Sequence, residues 1–371
     1  MASPSLDDDP RLVTQAWLGS RLLLATVALV VMVTQHREWW RVTGAWDVEH
    51  FMQIAADGYA DKVNMAFFPA LPALLHVFSL VHVPMQLAGV LLGLTGSALA
   101  AWALYRFAGA IAASLWLFAP TTVFTTVAYT EALFCAAAFW AWERARSGRW
   151  LQASLLAAVA CSFRVSGLFL IGALVVLAIF GDGDRGRPEP FFRRADHALW
   201  LLLPVAVLIA HATYLHHLSG SWTAWFEAQT QGWARGFTTP WQAYQNTLPA
   251  TETSAWPDRP SVAYVFRAEI VSMGIGVATT LYCLVRRRWA SASWVGIQVF
   301  AFSISYWFMS VNRAILLWFP LFVALSELVQ WRPKGSLGRL LWQGFVTILV
   351  VTMIATSIVW AWLYYTGAWA S

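Results

Sequence analysis

The chain has 371 residues, of which 59% are hydrophobic and only 12% are charged. Because a soluble domain carries about 25% charged residues, this composition excludes an ordinary soluble enzyme and indicates an integral membrane protein. The net charge of +5 does not indicate nucleic-acid binding, since basic loops on one side of a membrane explain it. Cys135, Cys161 and Cys283 lie in apolar stretches, which predicts small buried side chains without a disulfide or a metal site.

The apolar segments, taken in chain order, predict an all-α polytopic membrane protein. Several reach about 20 residues without a charge, the length that crosses the hydrocarbon core. The first follows a polar N-terminus without a cleavable signal, which predicts a retained signal anchor. We predict about eleven spans, near residues 17–35, 85–106, 109–127, 131–143, 150–163, 165–180, 197–218, 262–284, 289–308, 313–330 and 340–363.

The distribution of basic residues predicts how these spans are oriented. Segment 66–82 is apolar, but two prolines interrupt its start, so we predict an interfacial or re-entrant helix there. With the N-terminus in the cytoplasm, most arginines fall in cytoplasmic segments, among them Arg185, Arg187 and Arg286. This bias is the one that the positive-inside rule describes.

The same orientation places two long loops, 36–84 and 219–261, together on the extracytoplasmic face. Loops of this length usually carry function, so 36–84 is predicted to be the catalytic first loop. Spans 85–218 and 262–363 would complete one integral membrane domain.

The first loop concentrates polar side chains between residues 44 and 72. Asp47 and His50 share one helical face, with Glu49 turned aside. One interpretation makes Asp47 a general base with His50 close to the substrate. The other makes these residues the polar face of an interfacial helix, with Asp47 as its N-cap. The spacing alone leaves both interpretations open.

Charged residues at predicted span ends are the other candidates. The apolar stretch 151–180 is too long for one span and too short for two, which predicts two short helices meeting at Arg164. Arg313 lies at the outer start of a span, and Arg235 lies in the second long loop. A charge at membrane depth indicates a functional site, although an arginine can also extend from a helix end to the interface. For Glu131, the alternative is a carboxylate favoured at a helix N-terminus.

A long motif in the first loop resembles the signature of the PIG-V, or GPI mannosyltransferase 2, family of the GT-C superfamily, which has bacterial relatives. The matching residues are Trp46, Asp47, Glu49, His50, Phe51, Ile54, Ala55, Gly58, Tyr59, Ala66, Phe67, Phe68 and Pro69. Weaker matches follow at Tyr129, Glu131, Arg164, Gln229, Trp233, Arg235 and Arg313. Lys62 departs from the pattern, because an acidic residue is expected there in eukaryotic members.

The resemblance implies a GT-C-like bundle and an inverting mannosyltransferase that uses a polyprenyl-phosphate-mannose donor. The acceptor would be a lipid, lipoglycan or protein on the outer face of a bacterial plasma membrane. The resemblance makes Asp47 the base that takes the acceptor proton. Ten of the other matched residues would bind substrate: Glu49, His50, Tyr59, Tyr129, Glu131, Arg164, Gln229, Trp233, Arg235 and Arg313. No cofactor, metal or nucleic acid is implied, and arginines suit the departing lipid phosphate.

Two other classes of protein remain open at this stage. A transporter or flippase of a lipid-linked sugar often has repeated halves and broken helices, and the sequence has no visible repeat. A structural membrane subunit would not need so many polar residues in its first loop. No phosphate-binding glycine motif supports a nucleotide-dependent mechanism, and the spacing of His211, His216 and His217 does not build a metal site.

Overall fold

The computed structural model describes residues 6–181 and 191–370, which are all-α without a β-strand. The predicted fold class is confirmed, and the three cysteines are buried and unpaired, as predicted. Arg185 and Arg187 lie outside the described residues. Within those ranges the α-helices are α1 Pro10–Thr34, α2 Trp39–Thr43, α3 Asp47–Asp57, α4 Ala70–Leu80, α5 Met85–Ala108, α6 Ala110–Leu117, α7 Glu131–Arg146, α8 Trp150–Phe163, α9 Ser166–Phe180, α10 Phe191–Trp200, α11 Leu202–Ser219, α12 Ala224–Trp233, α13 Pro240–Thr247, α14 Ser261–Val285, α15 Trp289–Ser303, α16 Val311–Ala314, α17 Phe319–Gln330 and α18 Ser336–Tyr365.

Five helical stretches in the described part of the chain are long and apolar enough to cross a membrane. They are α1, α5, the stretch Asp196–Ser219 that joins α10 to α11, α14 and α18. Val311–Leu317 and Phe319–Gln330, which bend by 71° at their junction, make a sixth if they count as one broken span. The remaining predicted spans correspond to shorter helices, so the number eleven stays a prediction.

The predicted continuous span at 109–127 is wrong in one respect, because the helix α6 contains only eight residues. Pro120 cannot continue the hydrogen-bond ladder. The hydroxyls of Thr125 and Thr126 donate to the carbonyls of Thr122 and Val123, and such local bonds compete with a regular helix. A 3-10 helix, Thr122–Thr125, results.

Segment 109–129 nevertheless joins the two ends of the bundle. At one end the backbone N–H of Ile111 donates to the Asp7 carboxylate. At the other end the Tyr129 hydroxyl accepts the N–H of Asp47. Between them the buried guanidinium of Arg21 donates to the Thr122 and Thr125 hydroxyls at 3.0 and 2.7 Å. These bonds fix the irregular turn that precedes α7.

Glycines on α5 allow the turn before α7 to pack closely, and the Gly89-x-x-x-Gly93 spacing is typical of such close packing. A β-carbon built on Gly89 would overlap the β-carbon of Ala128, and one on Gly93 would lie 3.0 Å from the Val127 carbonyl oxygen. The partner is the turn before α7 rather than the middle of a helix. This close approach positions Tyr129, which borders the site described below.

The two long loops cover one end of the bundle and contact each other. The first contains α2, α3, the 3-10 helix Lys62–Ala66 and α4. With 11 residues, α4 is about 16 Å long, which is too short to cross a bilayer. The second loop contains α12 and α13, and Trp225 and Gln229 of α12 both donate to the Ala66 carbonyl oxygen.

Candidate active site

Asp47 is the first residue of α3, directly after Trp46, whose φ of 61° turns the chain sharply. The indole of Trp46 donates to the Ala368 carbonyl oxygen, which fixes this turn. The interpretation of Asp47 as the N-cap is wrong, because Trp46 holds that position and no side chain caps α3. Instead, the Asp47 carboxylate accepts a hydrogen bond from Arg313 at 2.6 Å.

Arg313 lies between two carboxylates and above two aromatic rings. Its Nη1 pairs with Asp47, and its Nε lies 3.6 Å from Glu131 Oε1. Its Cζ lies 5.3 Å from the ring centre of Tyr129 and 5.5 Å from that of Phe124, distances at which a cation is attracted to an aromatic face. These four neighbours hold the guanidinium in one place.

Glu131 joins a second arginine to the first. Its side chain is fully buried, and its Oε1 lies 2.6 Å from Arg164 Nη1. Arg164 also donates to the Thr130 hydroxyl at 2.9 Å. Glu131 begins α7, where the helix dipole favours a carboxylate, and it pairs two arginines there as well. A buried carboxylate requires such partners.

The prediction that two short helices meet at Arg164 is confirmed. Helix α8 ends at Phe163 and α9 begins at Ser166, with Arg164 in an extended conformation between them. The approach is close, since a β-carbon on Gly167 would lie 2.6 Å from Cys161. The break directs the guanidinium towards Glu131 instead of along a helix surface.

Arg235, between α12 and α13, is the third arginine of the site. Its Nη2 donates to the Met309 carbonyl oxygen and the Ser310 hydroxyl at 3.2 and 3.1 Å. Its buried Nε has no hydrogen-bond partner. Burial, together with the nearby Arg313 cation, lowers the pKa of Arg235 to about 10, so the guanidinium stays protonated at neutral pH. It is therefore a cation held mainly by neutral groups.

These arginines border a cavity of about 450 Å³, which we name the apolar cavity. Its lining includes Asp47, Arg164, Arg235 and Arg313. Most of its remaining wall is apolar, with Phe163, Leu168, Phe169, Phe226, Phe237, Ala301, Phe302 and Ile304 among its lining residues. The cavity thus combines an apolar body with one cationic end.

A second cavity of about 1010 Å³, which we name the loop cavity, lies against the first long loop. Its lining mixes aromatic rings with charged groups, including Arg37, Arg41, Trp46, Glu49, His50, Tyr129, Trp256, Arg259, Tyr364 and Trp369. Asp47, Trp233, Ser310 and Arg313 line both cavities. The Asp47–Arg313 pair therefore lies where the two cavities meet.

Several predicted residues line the loop cavity. His50 shares a hydrogen bond of 2.8 Å between its Nδ1 and Asn64 Oδ1, and its ring stacks on Phe67. The prediction that Glu49 turns aside is wrong, because Glu49 lines the same cavity as Asp47 and His50. The first turn of α3 projects into a wide cavity, so two sides of the helix face it.

Three other predicted residues differ in how they lie relative to the two cavities. Trp233 lines both cavities, and Gln229 lines the apolar one. Tyr59 lines neither of them, and its hydroxyl donates to the Phe67 carbonyl oxygen at 2.9 Å. Burial raises the pKa of Tyr59 above its ordinary value. These contacts favour a role for Tyr59 in holding the turn before α4.

Glu269 is a residue of this site that the sequence analysis missed. It is fully buried on α14, and its two carboxylate oxygens accept the backbone N–H groups of Ser310 and Asn312, each at 2.9 Å. Ser310 has a positive φ of 68°. Glu269 thus holds the turn that carries Arg313. A signal was available, because an acidic residue inside a predicted span is itself a functional indication.

Among residues 6–181 and 191–370, no three His, Cys, Asp or Glu side chains are grouped closely enough to hold a metal ion.

Part of the chain is similar in sequence to known proteins. The chain is 34% identical over 149 residues to proteins named GPI alpha-1,6-mannosyltransferase 2 from Mus musculus, Rattus norvegicus and Homo sapiens. Over that part of its length the chain is similar to the PIG-V proteins. The match covers 35% of this chain and 30% of the length of each of these relatives. No protein-family profile matches the chain.

Proposed function

We propose that this protein is an inverting mannosyltransferase that moves mannose from polyprenyl-phosphate-mannose to a hydroxyl of a lipid, lipoglycan or protein acceptor. One observation carries the proposal. The carboxylate of Asp47 lies where an apolar cavity bordered by three arginines meets a wide cavity lined by polar and aromatic groups. The similarity to proteins named mannosyltransferases supports the sugar.

The apolar cavity suits the donor. An isoprenoid phosphate combines a long apolar chain with a charged head, and the cavity has apolar walls and Arg164, Arg235 and Arg313 at one end. When the bond between the sugar C1 and the phosphate oxygen breaks, its electron pair stays with the phosphate. Guanidinium groups stabilise that charge where it develops. A phosphate leaves as an anion, so no acid has to protonate it.

The loop cavity suits the acceptor. An acceptor hydroxyl entering from this side approaches the sugar on the face opposite the departing phosphate, which inverts the configuration at C1. Asp47 takes the hydroxyl proton as the new C–O bond forms. Glu49 and His50 provide hydrogen-bonding groups beside it, and Trp233 lines both cavities. No water-activating metal is required in this scheme.

The proposed location of the site is the extracytoplasmic face of a bacterial plasma membrane. Helices α5 and α7 end at the face away from the site, near the basic residues Arg106 and Arg146. Arg286 and Arg288 lie at the end of α14 and the start of α15. The positive-inside rule assigns that basic end to the cytoplasm, which leaves Asp47 and both long loops outside.

The test is transfer by the purified protein in liposomes. Labelled polyprenyl-phosphate-mannose is supplied together with glycolipid, lipoglycan and peptide acceptors, and the product is identified by mass spectrometry. We expect a mannosylated product whose anomeric configuration, measured by NMR, is inverted relative to the donor. Movement of the labelled donor across the bilayer without a product would contradict the proposal and favour a flippase.

A further inference from the structure

A third cavity, of about 650 Å³, is also lined by apolar residues. It lies on α9 and α15, which also border the apolar cavity, but near the other ends of these two helices. Its lining includes Val176 and Phe180 of α9 and Trp289, Ser293 and Ile297 of α15. The apolar cavity is bordered by Phe169 of α9 and by Ala301 of α15. Two cavities thus follow one helix pair from end to end.

Residues of one stripe on each helix connect the two cavities. On α9, Phe169, Gly172, Val176 and Phe180 follow one another at spacings of three and four residues, which places them on one face. A β-carbon built on Gly172 would lie 3.6 Å from Ile297 Cδ1 across the interface. The distance from Phe169 to Phe180 is about 17 Å along the helix.

The matching stripe on α15 consists of Ser293, Ile297 and Ala301, each four residues from the next. We name the interface between the two stripes the α9–α15 seam. Leu168 and Phe180 on α9 and Phe300 on α15 are more than half exposed at its edges. A chain lying in the seam would therefore reach the surrounding lipid.

We propose that the α9–α15 seam binds the isoprenoid chain of the lipid-linked donor; this inference rests on the proposed function. Of the three arginines that would hold the phosphate, Arg164 comes immediately before α9. In this arrangement the attached chain leaves the apolar cavity next to that helix. The seam begins there and follows α9 and α15 to the cavity of about 650 Å³.

The seam selects the isoprenoid chain by the fit of its shape, and removal of that chain from water contributes little. Lipid tails are as apolar as the isoprenoid, so burial in the membrane brings little hydrophobic gain. Close packing against methyl branches is what distinguishes a polyprenyl chain from a straight acyl chain. Gly172 leaves the space for such a branch beside Ile297.

Kinetics with two donors tests this assignment. Ser293→Trp and Gly172→Leu should raise the KM for a long-chain polyprenyl-phosphate-mannose about tenfold, which corresponds to about 1.4 kcal/mol. A short-chain donor that ends inside the apolar cavity should keep its wild-type KM. Ala355→Trp, at an exposed position on α18, is the matched control. An equal change for both donors, or none for either, would overturn the seam.

Photolabelling tests the same site without any transfer reaction. The probe is a polyprenyl phosphate without sugar that carries a diazirine on a distal isoprene unit. We expect labels on Val176, Phe180 or Ile297, and weaker labelling of Ser293→Trp. Labels confined to other helices, or labelling that a straight-chain alkyl phosphate removes equally well, would overturn the inference. Seam labelling without mannose transfer in the kinetic assay would instead contradict only the proposed function.

Discussion

The carboxylate of Asp47 and the guanidinium of Arg313 form an ion pair of 2.6 Å, although 266 positions separate them in the sequence. Both side chains remain partly accessible, at 17% and 11%. The pair is therefore reachable from both cavities. A phosphate bound at Arg313 would compete with Asp47 for that guanidinium, which would release the carboxylate towards an acceptor hydroxyl.

Arg235 offers the clearest test of the cationic end, because its hydrogen bonds go to neutral groups. We expect Arg235→Ala to raise the donor KM about 10- to 100-fold, since a charge-assisted hydrogen bond contributes about 1.5–3 kcal/mol. Arg235→Lys should recover only part of this loss, because lysine lacks the planar fork. Steady-state kinetics at constant salt gives the values.

Arg267→Ala is the matched control for Arg235. Arg267 also donates to a backbone carbonyl, that of Thr251, but it borders neither cavity. Its donor KM should equal that of the wild type. If Arg235→Ala left the donor KM unchanged, the phosphate would have to bind elsewhere.

Glu269 should act through the turn that carries Arg313. In Glu269→Gln an amide nitrogen replaces one of the two accepting oxygens, and it cannot accept the hydrogen bond of the backbone N–H that it faces. The unsatisfied N–H lowers the free energy of unfolding by about 1–3 kcal/mol. We expect a lower melting temperature in detergent and a reduced kcat. Glu252→Gln, at an exposed position in the second loop, should change neither quantity. Wild-type values for Glu269→Gln would show that the turn holds its shape without the carboxylate.

Gly89 should matter for stability through its contact with Ala128. The β-carbon of Gly89→Ala would overlap Ala128, and overpacking of this kind costs about 1–3 kcal/mol. Gly274→Ala on α14 is the control, since nothing lies within 4 Å of a β-carbon there. Thermal unfolding in matched detergent should show a loss for the first variant only. Equal melting temperatures would mean that α5 shifts without cost.

The sequence predicts the parts of the site that are contiguous or that interrupt an apolar pattern. Asp47, Glu49 and His50 lie within one loop segment, and Arg164 interrupts an apolar stretch of unusual length. Arg235 and Arg313 are candidates at separate places in the sequence, and only tertiary packing brings the second loop to the α16 turn and the two arginines together.

Other features depend on local chemistry that composition conceals. Segment 109–127 is apolar throughout, yet Pro120 and the threonine hydroxyls break it after eight helical residues. Glu269 is a single acidic residue in a predicted span. Its structural role is to accept hydrogen bonds from two backbone N–H groups of a turn that is distant in the sequence. The sequence spacing does not show which backbone groups Glu269 would contact.

The most direct measurement is the single-turnover rate of Asp47→Asn in liposomes loaded with labelled donor. Asparagine keeps the size of the side chain but cannot take the acceptor proton, so we predict a rate about 10²- to 10⁴-fold below the wild type. Donor photolabelling should be at least as strong as in the wild type, because asparagine competes less with the phosphate for Arg313, and the melting temperature should stay close to the wild-type value. Asp57→Asn, at the exposed end of α3, should transfer at the wild-type rate. A folded Asp47→Asn protein with wild-type turnover would contradict the assignment of Asp47 as the base.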